Sequence, residues 1–439
     1  MNRDFIPRSR AMLLCGFAGG GNVDFVEGLE CVFCGGKYPA RGLYTCPRCG
    51  ISGILDVRYD YRSIARRLTR RALAARREPG QWRYRELLPV RAGAALPLLT
   101  VGGTPLTPAP ALARHLGIRQ LLLKDDGRNA TGSLKDRASA VAVVKARERR
   151  QKIVACASTG NAASSCAGMA ASMGLRSVIF VPERAPEPKV AQLLAFGATV
   201  VRVRGSYEQA FQLCQRACEL WGWYNRNCAI NPYLVEGKKT VALEIGEQME
   251  WKTADWVAVA VGDGCTLAGV WKGFRELREL GLIERAPRIL GVQARGAAPV
   301  TAAFRSGGPI EPVEPRTVAD SIAVGVPRNW KKAVAAVRDS GGTMIDVSDD
   351  EILEALRDAG RLAGIFAEPA AAAAVAGLRR AVAEGAVARR ASAVAVITGN
   401  GLKDIQSART AVGRPFEIEP DGDGLDDILC RQQLIPRPC

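Results

Sequence analysis

Asn129-Ala130-Thr131-Gly132-Ser133-Leu134-Lys135-Asp136-Arg137 follows an apolar run, Leu121–Leu123, that reads as a β-strand, and leads into a helix opening near Ser133. Strand, glycine-bearing turn and helix in that order make a βα unit. Lys135 then lies in the first turn of the helix, where partial positive charge gathers. An ammonium is poorly stabilised there, so its pKa is expected to fall from a reference of about 10.4. A neutral amine is a nucleophile suited to an aldehyde. An ordinary solvated lysine at a helix start is the alternative, and this segment alone leaves both open.

Three further segments sit in similar places. Ser158-Thr159-Gly160-Asn161 follows the apolar run Ile153–Cys156 and precedes an alanine-rich helical stretch. It offers hydroxyls, free N–H groups and an amide to a carboxylate or phenolic oxygen, although an ordinary capped helix start reads the same way. Gly262-Asp263-Gly264-Cys265-Thr266 follows Trp256–Val261 and opens a helix through Trp271 to Leu280. Its glycines let N–H groups close on a phosphate. A dinucleotide fingerprint is the competing reading, but that motif opens the first βαβ unit, and here many βα units come first. Thr398-Gly399-Asn400-Gly401 ends the run Ala393–Ile397, where a hydroxyl can meet a ring nitrogen; a plain Asn-Gly turn is the alternative. An aldehyde-seeking amine, a phosphate cradle, an oxygen-binding turn and a ring-nitrogen partner match the functional groups of pyridoxal phosphate. All four follow strands, where open α/β sheets place ligands.

On these residues the chain resembles the fold type II, tryptophan synthase β-like pyridoxal-phosphate enzymes, and among them the threonine synthase family. The match runs from about Cys31 to Asp404. It includes Gly103-Thr104-Pro105-Leu106, Asn231-Pro232-Tyr233, Glu236-Gly237-Lys238-Lys239-Thr240, Glu368-Pro369-Ala370 and Gly401-Leu402-Lys403-Asp404, besides the segments above. The resemblance implies that Lys135 holds the cofactor as an imine and that Asn161 bonds its ring hydroxyl. Gly262, Asp263, Gly264, Cys265 and Thr266 would hold its phosphate, and Thr398 would face the pyridine nitrogen. Ser158 and Thr159 would receive the substrate carboxylate. The implied reaction converts O-phospho-L-homoserine and water to L-threonine and phosphate. A related β-eliminating or β-replacing enzyme for phosphoserine, acetylserine or diaminopropionate is the runner-up, and a non-enzymatic ligand binder is a third reading.

The chain departs from the family pattern at several positions. Ala130 stands for a usual Pro, Leu134 for Phe and Asn400 for His. Leu234 occupies the place of an Arg that is a plausible substrate-phosphate anchor. That loss removes a charge-assisted contact of about 1.5–3 kcal/mol, for which Lys238, Lys239 or Arg328 could substitute.

The 439 residues can bury a large core in two or three domains. Alternating apolar strands and helical stretches predict an α/β fold with mostly parallel sheets. Visible βα units start at Ile153, Val178, Thr199 and Trp256, and Ser348-Asp349-Asp350-Glu351 is a capping box. The expected divisions are a tail 1–27, a cysteine-rich segment 28–58, an Arg-rich helical linker 59–95, a catalytic region 96–416 and a tail 417–439. A smaller subdomain of about 133–240 is expected to be inserted in the catalytic region.

Cys31-Val32-Phe33-Cys34 and Cys46-Pro47-Arg48-Cys49 form two C-x2-C knuckles, each followed by glycine. Four thiolates close a tetrahedral Zn²⁺ shell, so the predicted site is structural. Two disulfides are the alternative, disfavoured because no secretion signal is apparent. Net charge is +17, with many arginines between Arg62 and Arg91. That stretch reads as a solvated linker helix, without an aromatic platform, and no nucleic-acid partner is expected. The run Ala11–Ala18 is too short and glycine-broken to span a membrane. A soluble cytoplasmic protein with a small amino-acid substrate is expected, and the family implies a homodimer. The single histidine, His115, reads as a surface residue and excludes an H-E-x-x-H metal site. Acid–base work then falls to Lys, Asp, Glu or a cofactor.

Overall fold

The strands that place the candidate site are apolar runs of valine, alanine or leucine buried on both faces, as parallel strands between helix layers must be. The computed structural model describes residues 25–183, 185, 187–422 and 424–435. The run Ala11–Ala18 and the terminal Arg437-Pro438-Cys439 lie outside them. The strands are β1 (Val26–Cys31), β2 (Lys37–Tyr38), β3 (Thr45–Cys46), β4 (Gly50–Tyr59), β5 (Leu106–Pro108), β6 (Gln120–Asp125) and β7 (Ile153–Ala157). They continue with β8 (Arg176–Pro182), β9 (Thr199–Val203), β10 (Tyr224–Asn225), β11 (Trp256–Ala260), β12 (Arg288–Ala294), β13 (Thr343–Val347) and β14 (Ser392–Ile397).

The larger sheet has the order β13-β12-β11-β14-β6-β5 and is parallel except for β5, which runs antiparallel to β6. Side chains alternate between its faces. Leu123, Ala258, Ala260, Leu290, Val292, Ala395 and Ile397 pack with the helices Asp349–Ala363 and Pro369–Ala383. Leu122, Val257, Val259, Ile289, Val394 and Val396 pack on the opposite face with the helices Lys135–Glu148, Tyr233–Gln248 and Cys265–Glu279. The alanine run Ala370–Ala374 suits close packing, and a side chain at Gly377 would collide with Val292. A second, four-stranded parallel sheet, β10-β7-β8-β9, is built from residues 153–225. The helix Tyr207–Trp221 covers one face and Asn161–Ser172 the other. Together the sheets give the α/β, fold type II arrangement expected from the apolar runs. β12 and β13 were not among the strands nominated from sequence. The capping box at Ser348 forms in both directions, with Glu351 N donating to Ser348 Oγ and Ser348 N to Glu351 Oε2.

The Arg-rich stretch is not one solvated helix. Asp60 and Thr69 accept bonds from Ser63 N and Ala72 N and so restart the chain as two short helices, Tyr61–Ala65 and Arg70–Ala74. Pro79 and Gly80, the latter at φ +64°, lead into a 3₁₀ run, Gly80–Leu87. Ile64, Leu68, Leu73, Tyr84 and Leu87 are buried, while most of the arginines stay exposed and a few find partners. Arg70 donates to Leu282 O, Arg76 meets Glu86, and Arg83 meets Glu247. Among the described residues no helix is long and apolar enough to cross a membrane.

Candidate active site

β11, β14 and β6 are neighbours, so the segments leaving their carboxyl ends converge although they are far apart in sequence. The lysine segment follows β6, the threonine turn follows β14 and the glycine loop follows β11. Backbone bonds tie the first two together. Leu134 N donates to Thr398 O (2.9 Å), Asn400 N to Gly132 O (3.0 Å), and Ser133 bridges Gly399. The Glu368 segment joins them, with Glu368 N on Gly399 O (3.0 Å) and Gly401 N on Phe366 O (2.8 Å).

Lys135 is the first residue of the helix Lys135–Glu148. Its pKa is lowered to about 8, first by burial and then by the cation of Lys238. The expected direction is met, but these are the leading causes, rather than the helix terminus. A buried network fixes this helix. Arg137 binds Asp126 (2.6 Å) and Glu244 (2.7 Å), Lys124 binds Glu244 (2.7 Å), and Thr104 Oγ1 donates to Asp126 (2.6 Å). It thereby joins the Gly103-Thr104 segment, β6 and the helix Tyr233–Gln248 to the lysine segment.

The glycine loop opens the helix Cys265–Glu279. Gly264 has φ +98°, and a Cβ there would lie 2.8 Å from Asn329 O. The Asp263 carboxylate accepts from Arg328 N, Asn329 Nδ2 and Cys265 Sγ, each at 2.8 Å, and as an acceptor cannot bind an anion. Only its backbone is therefore free for an anion. Asn161 begins the helix Asn161–Ser172, and its Nδ2 donates to both oxygens of Glu368 (2.8 and 2.9 Å). Burial pushes the Glu368 carboxyl up, while Asn161 and Lys135 pull it down. A cleft of about 470 Å³ runs along Thr159, Gly160, Asn161, Glu368, Lys189 and Lys403.

These donors fit pyridoxal phosphate. The Lys135 amine, the Lys238 ammonium and the buried Thr398 hydroxyl have no hydrogen-bond partner among the described residues. An aldehyde, a phosphate and a ring nitrogen are suitable partners for the three. Ser158 Oγ accepts from Gly160 N (3.2 Å), while Thr159 faces the cleft. Of the alternative phosphate anchors, Lys239 is consumed by Glu236 (2.6 Å) and Glu276 (2.8 Å). Arg328 pairs with Glu208 (2.9 Å) and lies 4.2 Å over the Phe211 ring. Leu234 is buried in the core. Sequence reasoning assigned no role to Glu368 and did not single out Arg226. The signal for Glu368 was its place before Pro369 at a helix start; Arg226 had none. His115 is exposed, as expected, and lies 3.2 Å from Asp358.

In the N-terminal sheet, β2-β1-β4-β3, the four knuckle sulfurs lie within 4.8 Å of one another, and none is disulfide-bonded. Cys31–Cys49 and Cys34–Cys46 are 4.0 and 3.7 Å apart. Four sulfurs at about 2.3 Å from one tetrahedral ion would be roughly 3.8 Å apart. Gly35 and Gly50 turn the knuckles at φ +68° and +63°. These thiols could hold a metal.

The family model of pyridoxal-phosphate-dependent enzymes matches residues 98–399. Threonine synthase of Methanosarcina acetivorans is 40% identical over 405 residues, covering 91% of this chain and 98% of that protein. Threonine synthase of Methanocaldococcus jannaschii is 39% identical, also over 91% and 98%. Among solved structures, processed threonine deaminase isoform 2 from Solanum lycopersicum superposes with TM-score 0.62 at 25% identity, over 70% of this chain and 87% of that one. Diaminopropionate ammonia lyase from Escherichia coli gives TM-score 0.61 at 19% identity, over 70% and 87%, a likeness of fold. An unpartnered lysine amine among three convergent turns, together with relatives that match 91% of its length, means that the chain belongs to the threonine synthase family of pyridoxal-phosphate-dependent enzymes.

Proposed function

We propose that this protein is a lyase acting on a phosphorylated amino acid, converting O-phospho-L-homoserine and water to L-threonine and phosphate. The observation that carries the reading is the convergence of Lys135, Thr398 and the Gly264 loop from three adjacent strands. Similarity to threonine synthases over nearly the whole chain supports it. Bound pyridoxal phosphate would supply an aldehyde for imine chemistry and a ring that accepts the electron pair left at the substrate Cα.

The chain's own residues do the rest. Lys135 Nζ, with its depressed pKa, takes the Cα proton and returns it further along the substrate. Ser158, Thr159 and the N–H groups opening the helix Asn161–Ser172 receive the substrate carboxylate. Asn161 offers its amide to the ring hydroxyl, with Glu368 holding that amide in place. Thr398 offers a neutral hydroxyl to the ring nitrogen, which leaves that nitrogen unprotonated and favours elimination over transamination. Backbone N–H groups of Gly262, Asp263, Gly264, Cys265 and Thr266 cradle the cofactor's phosphate. Lys238 and Arg328 are the cations proposed for the substrate; Arg328 must first release Glu208. Cys31, Cys34, Cys46 and Cys49 are proposed to hold structural Zn²⁺, and a cytoplasmic homodimer is the proposed working form.

Phosphate release should be measured with O-phosphohomoserine and phosphoserine, and pyruvate formation with phosphoserine, acetylserine and diaminopropionate. Release of phosphate and formation of threonine with the first is the expected result. Turnover restricted to a three-carbon substrate would replace this reading with β-elimination.

A further inference from the structure

Seven lysines and arginines are buried among the described residues: Lys124, Arg137, Lys145, Arg226, Lys238, Lys239 and Lys272. Five hold a carboxylate within 2.7 Å, as burial of a charge requires. Lys238 and Arg226 are the exceptions, and they are electrostatic neighbours of each other and of Lys135. Lys238 lies where the helix Tyr233–Gln248 crosses the helix of the glycine loop; a Cβ at Gly269 would be 3.1 Å from Lys238 Cβ. Its ammonium has no hydrogen bond or ion pair among the described residues. The carboxylate among its main electrostatic neighbours is Asp263, already engaged by Arg328 N, Asn329 Nδ2 and Cys265 Sγ. Arg226 reaches no carboxylate: its acceptors are Ser139 Oγ (2.9 Å), Lys135 O (3.4 Å) and Cys228 Sγ (3.8 Å), a thiol that Cys265 and the two cations hold well below its ordinary pKa.

Two buried like charges without a carboxylate between them, sharing the Cys228 thiol, are costly, and a ligand of opposite charge relieves both penalties. The position matters as much as the charge. Lys238 adjoins the N-terminus of the glycine-loop helix, and Arg226 adjoins the catalytic lysine's backbone. Leu234, one turn before Lys238 on the same helix, contributes no charge. We propose that Lys238 and Arg226 form a two-cation seat for a phosphate monoester dianion beside Lys135. This deepens the functional reading above and rests on it. The dianion has two sources, the cofactor's 5′-phosphate and the substrate's leaving phosphate, and the chemistry that recognises them is the same.

The test is a binding titration of the apoprotein and variants Lys238→Gln and Arg226→Lys with pyridoxal phosphate and with pyridoxal, which lacks the phosphate. Imine absorbance and tryptophan fluorescence are the readouts, and a Lys238→Arg variant should restore binding. For the cofactor source, Lys238→Gln weakens pyridoxal phosphate by about ten-fold or more beyond any change in pyridoxal, which reports the accompanying shift of Lys135. For the substrate source, cofactor affinity is kept. Inorganic phosphate added to the loaded protein, followed by ³¹P resonance, then binds the variant about ten-fold or more weakly. Equal losses with phosphorylated and unphosphorylated probes, or no change with any probe, would overturn the seat. So would an altered alkylation rate of Cys228 with phosphate discrimination intact, because the cations would then serve a thiolate. None of these outcomes depends on turnover, so failure of the seat and failure of the O-phosphohomoserine reading are separable.

Discussion

At the residue scale, two adjacent lysines of one helix have opposite fates. Lys238 and Lys239 point about 100° apart around the helix. Lys239 enters a nest of Glu236 and Glu276, whereas Lys238 meets the glycine loop and no free carboxylate. Lys135 feels that neighbour. With its pKa near 8, imine formation between apoprotein and pyridoxal phosphate should accelerate with pH and level off above about 8. A solvated lysine would keep gaining rate to about 10.4. The sign for stability is the same. Between about 8 and the ordinary 10.5, the unfolded chain binds the proton that the folded Lys135 has released, so this residue's contribution rises with pH. Stopped-flow absorbance across that range, with Lys135→Ala as the blank, checks the rate. Borohydride should attach pyridoxyl to Lys135 and to nothing in the variant.

At the scale of elements, geometry rather than charge limits the glycine loop. Gly264→Ala would force a side chain into a left-handed backbone and against Asn329 O at 2.8 Å. The expected result is a loss of about 1–3 kcal/mol in stability or in cofactor binding, seen as a lower melting temperature or a weaker pyridoxal phosphate titration. The lysine helix depends instead on its third residue, Arg137. Arg137→Ala leaves Asp126 in the core with the Thr104 hydroxyl and no cation, and Glu244 with Lys124 alone, and should cost about 3–5 kcal/mol. Urea unfolding measures it; a change under 1 kcal/mol would mean the network is not holding that helix.

At the scale of the whole molecule, the cysteine-rich sheet is bolted to the catalytic region. Lys272 donates to Val57 O (2.6 Å) and Asp56 (3.2 Å) as well as Glu236 (2.7 Å), and Lys332 donates to Leu55 O (2.7 Å) and Asp56 (3.0 Å). Burial raises the Asp56 carboxyl, but these two cations outweigh it and hold it below the usual range. Lys272 belongs to the helix that the glycine loop opens, so the cysteine knuckles and the glycine loop share a lever. A chelator should lower the melting temperature and weaken cofactor affinity together. Asp56→Asn should do the same by about 1.5–3 kcal/mol with the metal still bound. Metal removal that unfolds the sheet without changing cofactor affinity would show that the two are independent.

Local chemistry was legible in the chain itself. Apolar runs followed by Ser-Thr-Gly-Asn, Gly-Asp-Gly or Thr-Gly-Asn-Gly marked strand ends, because only residues with spare donors or permissive backbones fit there. The paired C-x2-C knuckles predicted a sulfur cluster for the same local reason. The strand order, with β14 between β11 and β6, was not legible, because sheet pairing is set by packing between segments far apart in sequence. The arginines of 62–91 read as solvated, yet several pair internally, and Arg226 carried no signal as a buried cation. Sequence therefore determined which groups were available and which turns presented them. Tertiary structure alone decided which charges met a partner and which were left for a ligand, since burial and pairing are properties of the neighbours that folding brings together.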